Sequence, residues 1–389
     1  MGNLTCVPPF ANLPMLAPPV LLAPAHPPQG AAPGHRPGTP ARGGRAPGRV
    51  RSGTLLPGTV LLGSLVLAAC GESRAPSPAP RDVDGSIDPS VGIALDWTGP
   101  EGVEAFSLLG DTLRRPALSE AARARLEANL DSADAALAAA PDDPDALIWV
   151  GRRQAYLGRY REAIATFSEG VRRFPEDARF LRHRGHRFLT VRALDAAVAD
   201  FTRAGALEAG RPDAIEPDGA PNAAGIPLST TQFNIWYHLG LAHFLRGDWA
   251  AALEAYDRCL AVSTNPDLRV ATAYWRYLTL RRLGRDTEAA ASIAFAGDTL
   301  TLLENDGYLA LLRLFRGDVQ EAAVLPPTPE GTMDVANSTA AFGVGMWHRL
   351  NGRDADATAL FRRIVAGGQW AAFGSLAAEA ELAFRTAGP

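Results

Sequence analysis

The chain has 389 residues, 47% apolar and 21% charged, which is enough for a sizeable hydrophobic core. Its formal charge of −4 hides an asymmetry, because residues 1–69 carry five arginines and no acid, leaving 33 basic against 42 acidic residues from Cys70 onward, a balance that argues against a nucleic-acid binder. Every basic residue is Arg, so lysine nucleophiles, Schiff-base chemistry and the P-loop lysine are excluded as well.

Residues 1–50 hold twelve prolines among Ala, Gly and Arg with no apolar periodicity, a composition that cannot bury enough surface to offset the entropy of ordering. A disordered leader is expected there. An alternative start codon near Val50 would make that leader an artefact of the assigned start. Residues 51–70 then read as an export signal: Arg45, Arg49 and Arg51 precede an uncharged run through Leu55, Leu61, Leu65 and Leu67. The run ends in Leu67-Ala68-Ala69-Cys70-Gly71, which resembles the bacterial lipoprotein signal. That resemblance implies a diacylglyceryl group on the Cys70 sulfur, cleavage before Cys70 and, with Gly71 rather than Asp next, retention at the outer membrane. The alternative is an uncleaved apolar anchor. Residues 71–100, with Pro76, Pro78, Pro80, Pro89 and Pro100, read as a tether. Cleavage would leave only Cys70 and Cys259, so no intramolecular disulfide is expected and Cys259 reads as a buried apolar residue.

From residue 101 to 389 a periodic pattern organises the chain. A Gly is followed five residues later by Ala at Gly158/Ala163, Gly247/Ala252, Gly284/Ala289, Gly317/Ala322 and Gly352/Ala357. Each Gly suits a left-handed helix end, and each Ala lets the next helix pack closely on the last. Between these turns lie Leu147, Gly151, Ala163, Phe167 and Pro175, then Leu181, Gly185, Ala197 and Phe201 in the same register. Trp236, Leu239, Gly240, Ala252 and Tyr256 follow, and later Val344, Gly345, Ala357 and Phe361.

These positions resemble the tetratricopeptide repeat, W-x2-L-G-x2-Y, A-x3-F, P. The resemblance implies an all-α, superhelical solenoid of antiparallel helix hairpins. In the fourth unit Tyr277 stands where a small residue is expected, and Pro326-Pro327 cuts the fifth short. Upstream, Glu101–Arg115 and Ser119–Ala140 read as a divergent helical hairpin, and Trp370–Phe384 as a final capping helix. Residues 211–231, rich in Pro, Asp, Gly and Asn, read as a surface loop inserted between repeats.

No metalloprotease, serine-hydrolase, dithiol, phosphate-loop or calcium-loop motif is present, so neither catalysis nor a cofactor is expected. His183 and His186 share a helix face, but no local carboxylate or cysteine completes a metal site. His243 and His348 occupy aromatic positions of the repeat and read as packing residues.

The resemblance implies a concave face, lined by the first helix of each unit, that grips an extended peptide or a helix. Residues expected there are Arg152 and Tyr156 in the first unit, and Arg179, Arg182 and His186 in the second. The third unit offers Tyr237, Leu241 and Phe244, and the fourth Tyr274 and Arg281. Arginines at one end suit a partner's carboxylate, and the aromatic middle suits its apolar side chains. The alternative is arginines paired with helix acids and aromatics that belong to the core. The expected function is a lipid-anchored, periplasmic scaffold that binds a protein of the cell envelope. The other reading is an outer-membrane lipoprotein that binds a solute or glycan in the same groove.

Overall fold

The computed structural model describes residues 100–217, 219, 221–297, 299–326 and 334–386. The leader, the export signal with Cys70 and the tether up to residue 99 lie outside the described residues.

The domain opens with two short strands, β1 (Val103–Phe106) and β2 (Thr112–Arg114), paired antiparallel. This corrects the helix expected over Glu101–Arg115. The turn between the strands is organised by Ser107, whose Oγ accepts from the backbone N–H of Leu109 at 3.2 Å and of Asp111 at 2.9 Å. That local bonding offers the backbone an alternative to a helix. A single helix follows, α1 (Glu120–Ala139), capped by the Ser119 side chain.

Six hairpins then stack in sequence. They are α2 (Pro144–Tyr156) with α3 (Tyr160–Arg173), α4 (Ala178–Thr190) with α5 (Leu194–Leu207), and α6 (Thr231–Arg246) with α7 (Trp249–Val262). After them come α8 (Pro266–Arg282) with α9 (Asp286–Ser292), α10 (Asp306–Arg316) with α11 (Glu321–Val324), and α12 (Val335–Leu350) with α13 (Asp354–Ala366). A last helix, α14 (Phe373–Thr386), closes the domain. The first helices of successive hairpins pack on one another from α2 to α12, while the second helices pack on the flanking first helices. The first helices therefore form a continuous inner layer, as in an all-α solenoid.

Two sequence devices set this pattern. Five of the six first helices, all but α10, start at side-chain caps: Asp143 before Pro144, Asp177, Thr230, Asn265 before Pro266, and Asp334. Second helices have no such cap and start from the turn that ends the first, as at Gly247, which takes φ 79°. Within a hairpin a first-helix glycine faces a second-helix aromatic ring. A Cβ on Gly151 would lie 2.5 Å from the Phe167 ring, and one on Gly240 2.5 Å from Tyr256. Any side chain there would push the helices apart.

The later repeats depart from this scheme where the sequence does. Helix α9 has seven residues and α11 four, and Ala322 is exposed whereas Ala163, Ala252, Ala289 and Ala357 are fully buried. Tyr277 stacks on Phe315 with centroids 4.7 Å apart, filling space that a second-helix ring takes elsewhere.

The last helix is not a solvent-facing cap. Residues 374–381 of α14 are all buried, and the helix packs on α6 as well as on α12 and α13. Its small side chains explain the depth: Ala377, Ala378 and Ala380 are within 1% of full burial, and Gly374 lies against the Ser338 backbone. A true end cap would present a polar outer face.

Candidate functional site

The inner layer of first helices is the surface on which the sequence places its candidate residues. Arg152 and Tyr156 lie one turn apart on α2 and are part-exposed. The Arg152 guanidinium stacks 4.3 Å from the Trp149 ring centroid and donates to the Pro217 carbonyl at 2.9 Å. Arg179, also part-exposed, pairs with Asp177 and Asp145, and the Asp177 hydrogen bond leads in raising its pKa. It is held by acids of its own repeat stack.

Arg182 is buried, and its partner is a carboxylate from the inserted loop. Glu216 approaches the Arg182 Nε at 2.9 Å and also accepts from the Asn234 side chain at 3.0 Å. The loop continues over α2, where Gly219 lies so close to Tyr156 that a Cβ would meet its hydroxyl. Glu216, Pro217 and Gly219 thus lie across the basic end of the inner layer. Asn222 anchors the far side of the loop through Glu304, at 2.6 Å.

His186 is buried too, with its ring 4.5 Å from His238 and 5.4 Å from Phe373 of α14. Burial, reinforced by nearby arginines, depresses the pKa of His183 and His186, and burial lowers His238 to about 3. All three rings are neutral at pH 7. Among the described residues no group of three or more His, Cys, Asp or Glu side chains is placed to hold a metal ion.

The aromatic middle is core rather than groove. Tyr237, Leu241, Phe244 and Tyr274 are each at most 6% exposed, which corrects their reading as partner-facing residues. The Tyr237 hydroxyl lies 3.0 Å from that of Tyr308 and accepts from the Trp275 indole at 2.8 Å. Tyr274 stacks on Tyr308 at 4.6 Å, and Phe244 meets Trp275 edge-on. Their i, i+4 stripe is genuine, but packing from α8 and α10 covers it. Arg281, at the far end, is part-exposed and donates to the Tyr277 hydroxyl at 2.8 Å and the Leu350 carbonyl at 2.9 Å.

Helix α14 fills the rest of the inner layer. Arg192, in the turn after α4, donates from Nε to Glu379 at 3.0 Å and from Nη2 to the Trp370 carbonyl at 2.7 Å. Arg282 of α8 and Arg349 of α12 both bind Glu381. From the other side, the Leu108 N–H donates to Glu379 at 3.2 Å and the Trp370 indole to the Arg114 carbonyl at 2.8 Å. Sequence reasoning missed Glu216, Arg192, Glu379 and Glu381. Two signals were present: Arg192 stands 34 residues after Gly158, at the turn position that is glycine in the other repeats, and two acids interrupt an otherwise small and apolar last helix.

The tetratricopeptide-repeat family model matches residues 233–265, which span α6 and α7. Among solved structures, that of MamA aligns over 53% of this chain and 91% of its own, at 15% identity and a TM-score of 0.34. YrrB, described as a tetratricopeptide-repeat protein with an unusual peptide-binding site, aligns over 61% of this chain and 92% of its own, at 12% identity and a TM-score of 0.35. A tetratricopeptide-repeat protein from Parabacteroides merdae aligns over 61% and 85%, at 14% identity and a TM-score of 0.38. No curated protein matches the sequence.

Proposed function

Because the chain is a tetratricopeptide-repeat protein, we propose that it is an interaction scaffold without catalysis of its own, held by a lipid on Cys70 at the periplasmic face of the outer membrane. One contact carries the binding part of this reading: the Glu216 carboxylate on Arg182, delivered by a loop far from α4 in the chain. It supports an inner layer that holds acidic, extended chain at its basic end. The side chains that remain accessible beside it are Trp149, Arg152, Tyr156 and Arg179. An acidic segment of an envelope protein would lie along them, with carboxylates on the guanidinium groups and apolar side chains on the rings.

The enclosure of Tyr237, Phe244 and Tyr274 counts against a glycan- or solute-binding groove, which needs those rings exposed. The anchor rests on the apolar run and the Leu-Ala-Ala-Cys box. Two experiments test the proposal. Labelled palmitate should enter the protein and be lost in Cys70→Ser. A cross-linked pull-down from solubilised envelope should recover a protein partner that is lost with Arg152→Ala/Tyr156→Ala. Recovery unchanged by the double substitution would reject the basic end as the binding surface.

A further inference from the structure

Helix α4 buries three arginines. Two of them have carboxylates: Arg184 is held by Asp200, with both Nε and Nη2 donating at 2.8 and 2.7 Å, and Arg182 is held by Glu216. The third, Arg187, is 5% exposed, and among the described residues no carboxylate pairs with it. Its guanidinium instead lies over the Tyr160 ring, 5.6 Å from the centroid. Tyr156, Arg182 and Arg152 are near enough to act on its charge. Burial first, with Arg182 and Arg152 adding to it, lowers its pKa to about 10, so it remains a cation at neutral pH. Beside it, His186 Nε2 is buried without a hydrogen-bond partner among the described residues. Among the described residues the three buried guanidinium groups of α4 thus face two carboxylates, which leaves the Arg187 charge in excess. A buried charge without a counter-charge is strongly disfavoured.

We propose that Arg187, with Arg182 and the phenol of Tyr156, forms a binding site for a small oxyanion of the phosphate, sulfate or simple carboxylate type. The covering segments set the size. Pro217 and Gly219 lie over Arg152 and Tyr156, Trp370 meets Tyr160 edge-on at 5.4 Å, and Phe373 covers His186. An enclosed guanidinium takes a small anion without the chain opening, whereas a peptide carboxylate would have to displace the loop. Guanidinium and phenol donors together suit an anion with several acceptor oxygens. The site does not depend on the scaffold reading, since it needs no partner protein.

The test is thermal unfolding of the purified full chain, titrating inorganic phosphate against chloride at constant ionic strength. The wild type should show a saturating rise in Tm of roughly 4 °C. Arg187→Met should unfold in chloride at or above the wild-type temperature and lose the phosphate increment. Arg172→Met, at an exposed arginine paired with Glu169, should keep it. A wild type that does not respond to phosphate, sulfate or acetate overturns the proposal. So does a response that survives in Arg187→Met, or one given only by an acidic peptide. Should Arg187→Met fail to fold, calorimetric titration of the wild type decides: one saturable phosphate site supports the proposal, and no heat of binding overturns it.

Discussion

Arg192 and Glu379, 187 residues apart in the chain, form a buried ion pair in which the arginine takes φ 66°, the one positive φ of a non-glycine residue among those described. An L-residue in that conformation costs about 1–2 kcal/mol relative to glycine. The guanidinium is what makes the strain tolerable, because it holds both Glu379 and the Trp370 carbonyl and so fixes α14 against the inner layer. Removing one partner of a buried pair costs roughly 3–5 kcal/mol. Arg192→Gly should relieve the strain and still destabilise the domain by about 2 kcal/mol net. Glu379→Gln, with no strain to relieve, should destabilise by about 3 kcal/mol. Urea unfolding measures both, and hydrogen exchange in 373–386 should rise in each.

Gly374 makes a second, independent contact under α14. A Cβ there would lie 2.5 Å from the Ser338 carbonyl oxygen, and backbone cannot move aside as a flexible side chain can. Gly374→Ala should therefore destabilise by about 2 kcal/mol, although alanine is otherwise the better helix former. A stabilised variant in the same urea titration would contradict the close approach of α14 to α12.

The buried histidines give the domain an acid dependence. His183, His186 and His238 have folded pKa values depressed below 6.5, by burial above all, with His238 at about 3. As pH falls from 6.5 the unfolded chain takes up protons that the folded chain does not. Stability is therefore full above pH 6.5 and declines below it, by up to about 1.4 kcal/mol per pH unit for each histidine. Urea midpoints at pH 7.5, 6 and 5 should fall in that order. His238→Gln should reduce the slope by about a third.

Cys259 should be inert in the folded protein. It is fully buried between Thr272 and Ser263, and burial raises its thiol pKa to about 12. Maleimide should label Cys259 only after denaturation, as peptide mapping would show. Labelling under native conditions would mean that α7 and α8 separate readily.

The hairpins were legible in the sequence because each is set by residues close together: a cap, a turn glycine, and a small residue facing a ring about sixteen positions on. Gly151 with Phe167 and Gly240 with Tyr256 are such pairs. The two short strands were not legible, since their turn depends on the Ser107 hydroxyl rather than on any periodicity. The candidate groove was legible only in part. A helical stripe such as Tyr237, Leu241 and Phe244 shows which residues share a face, but not which distant segment covers that face. Here the covering is set by contacts of long sequence separation, Glu216 on Arg182 and Glu379 on Arg192. Their only local trace was an arginine in a glycine position and two acids in an apolar helix.

Site-specific photo-cross-linking in intact cells tests the scaffold reading most directly. Tyr156 is replaced by a photo-reactive phenylalanine analogue, and the same analogue replaces the exposed Glu254 on the outer helix α7 as a reference. One discrete protein adduct is expected from position 156 and none from position 254. No adduct at position 156, or the same adducts from both positions, would contradict the scaffold reading.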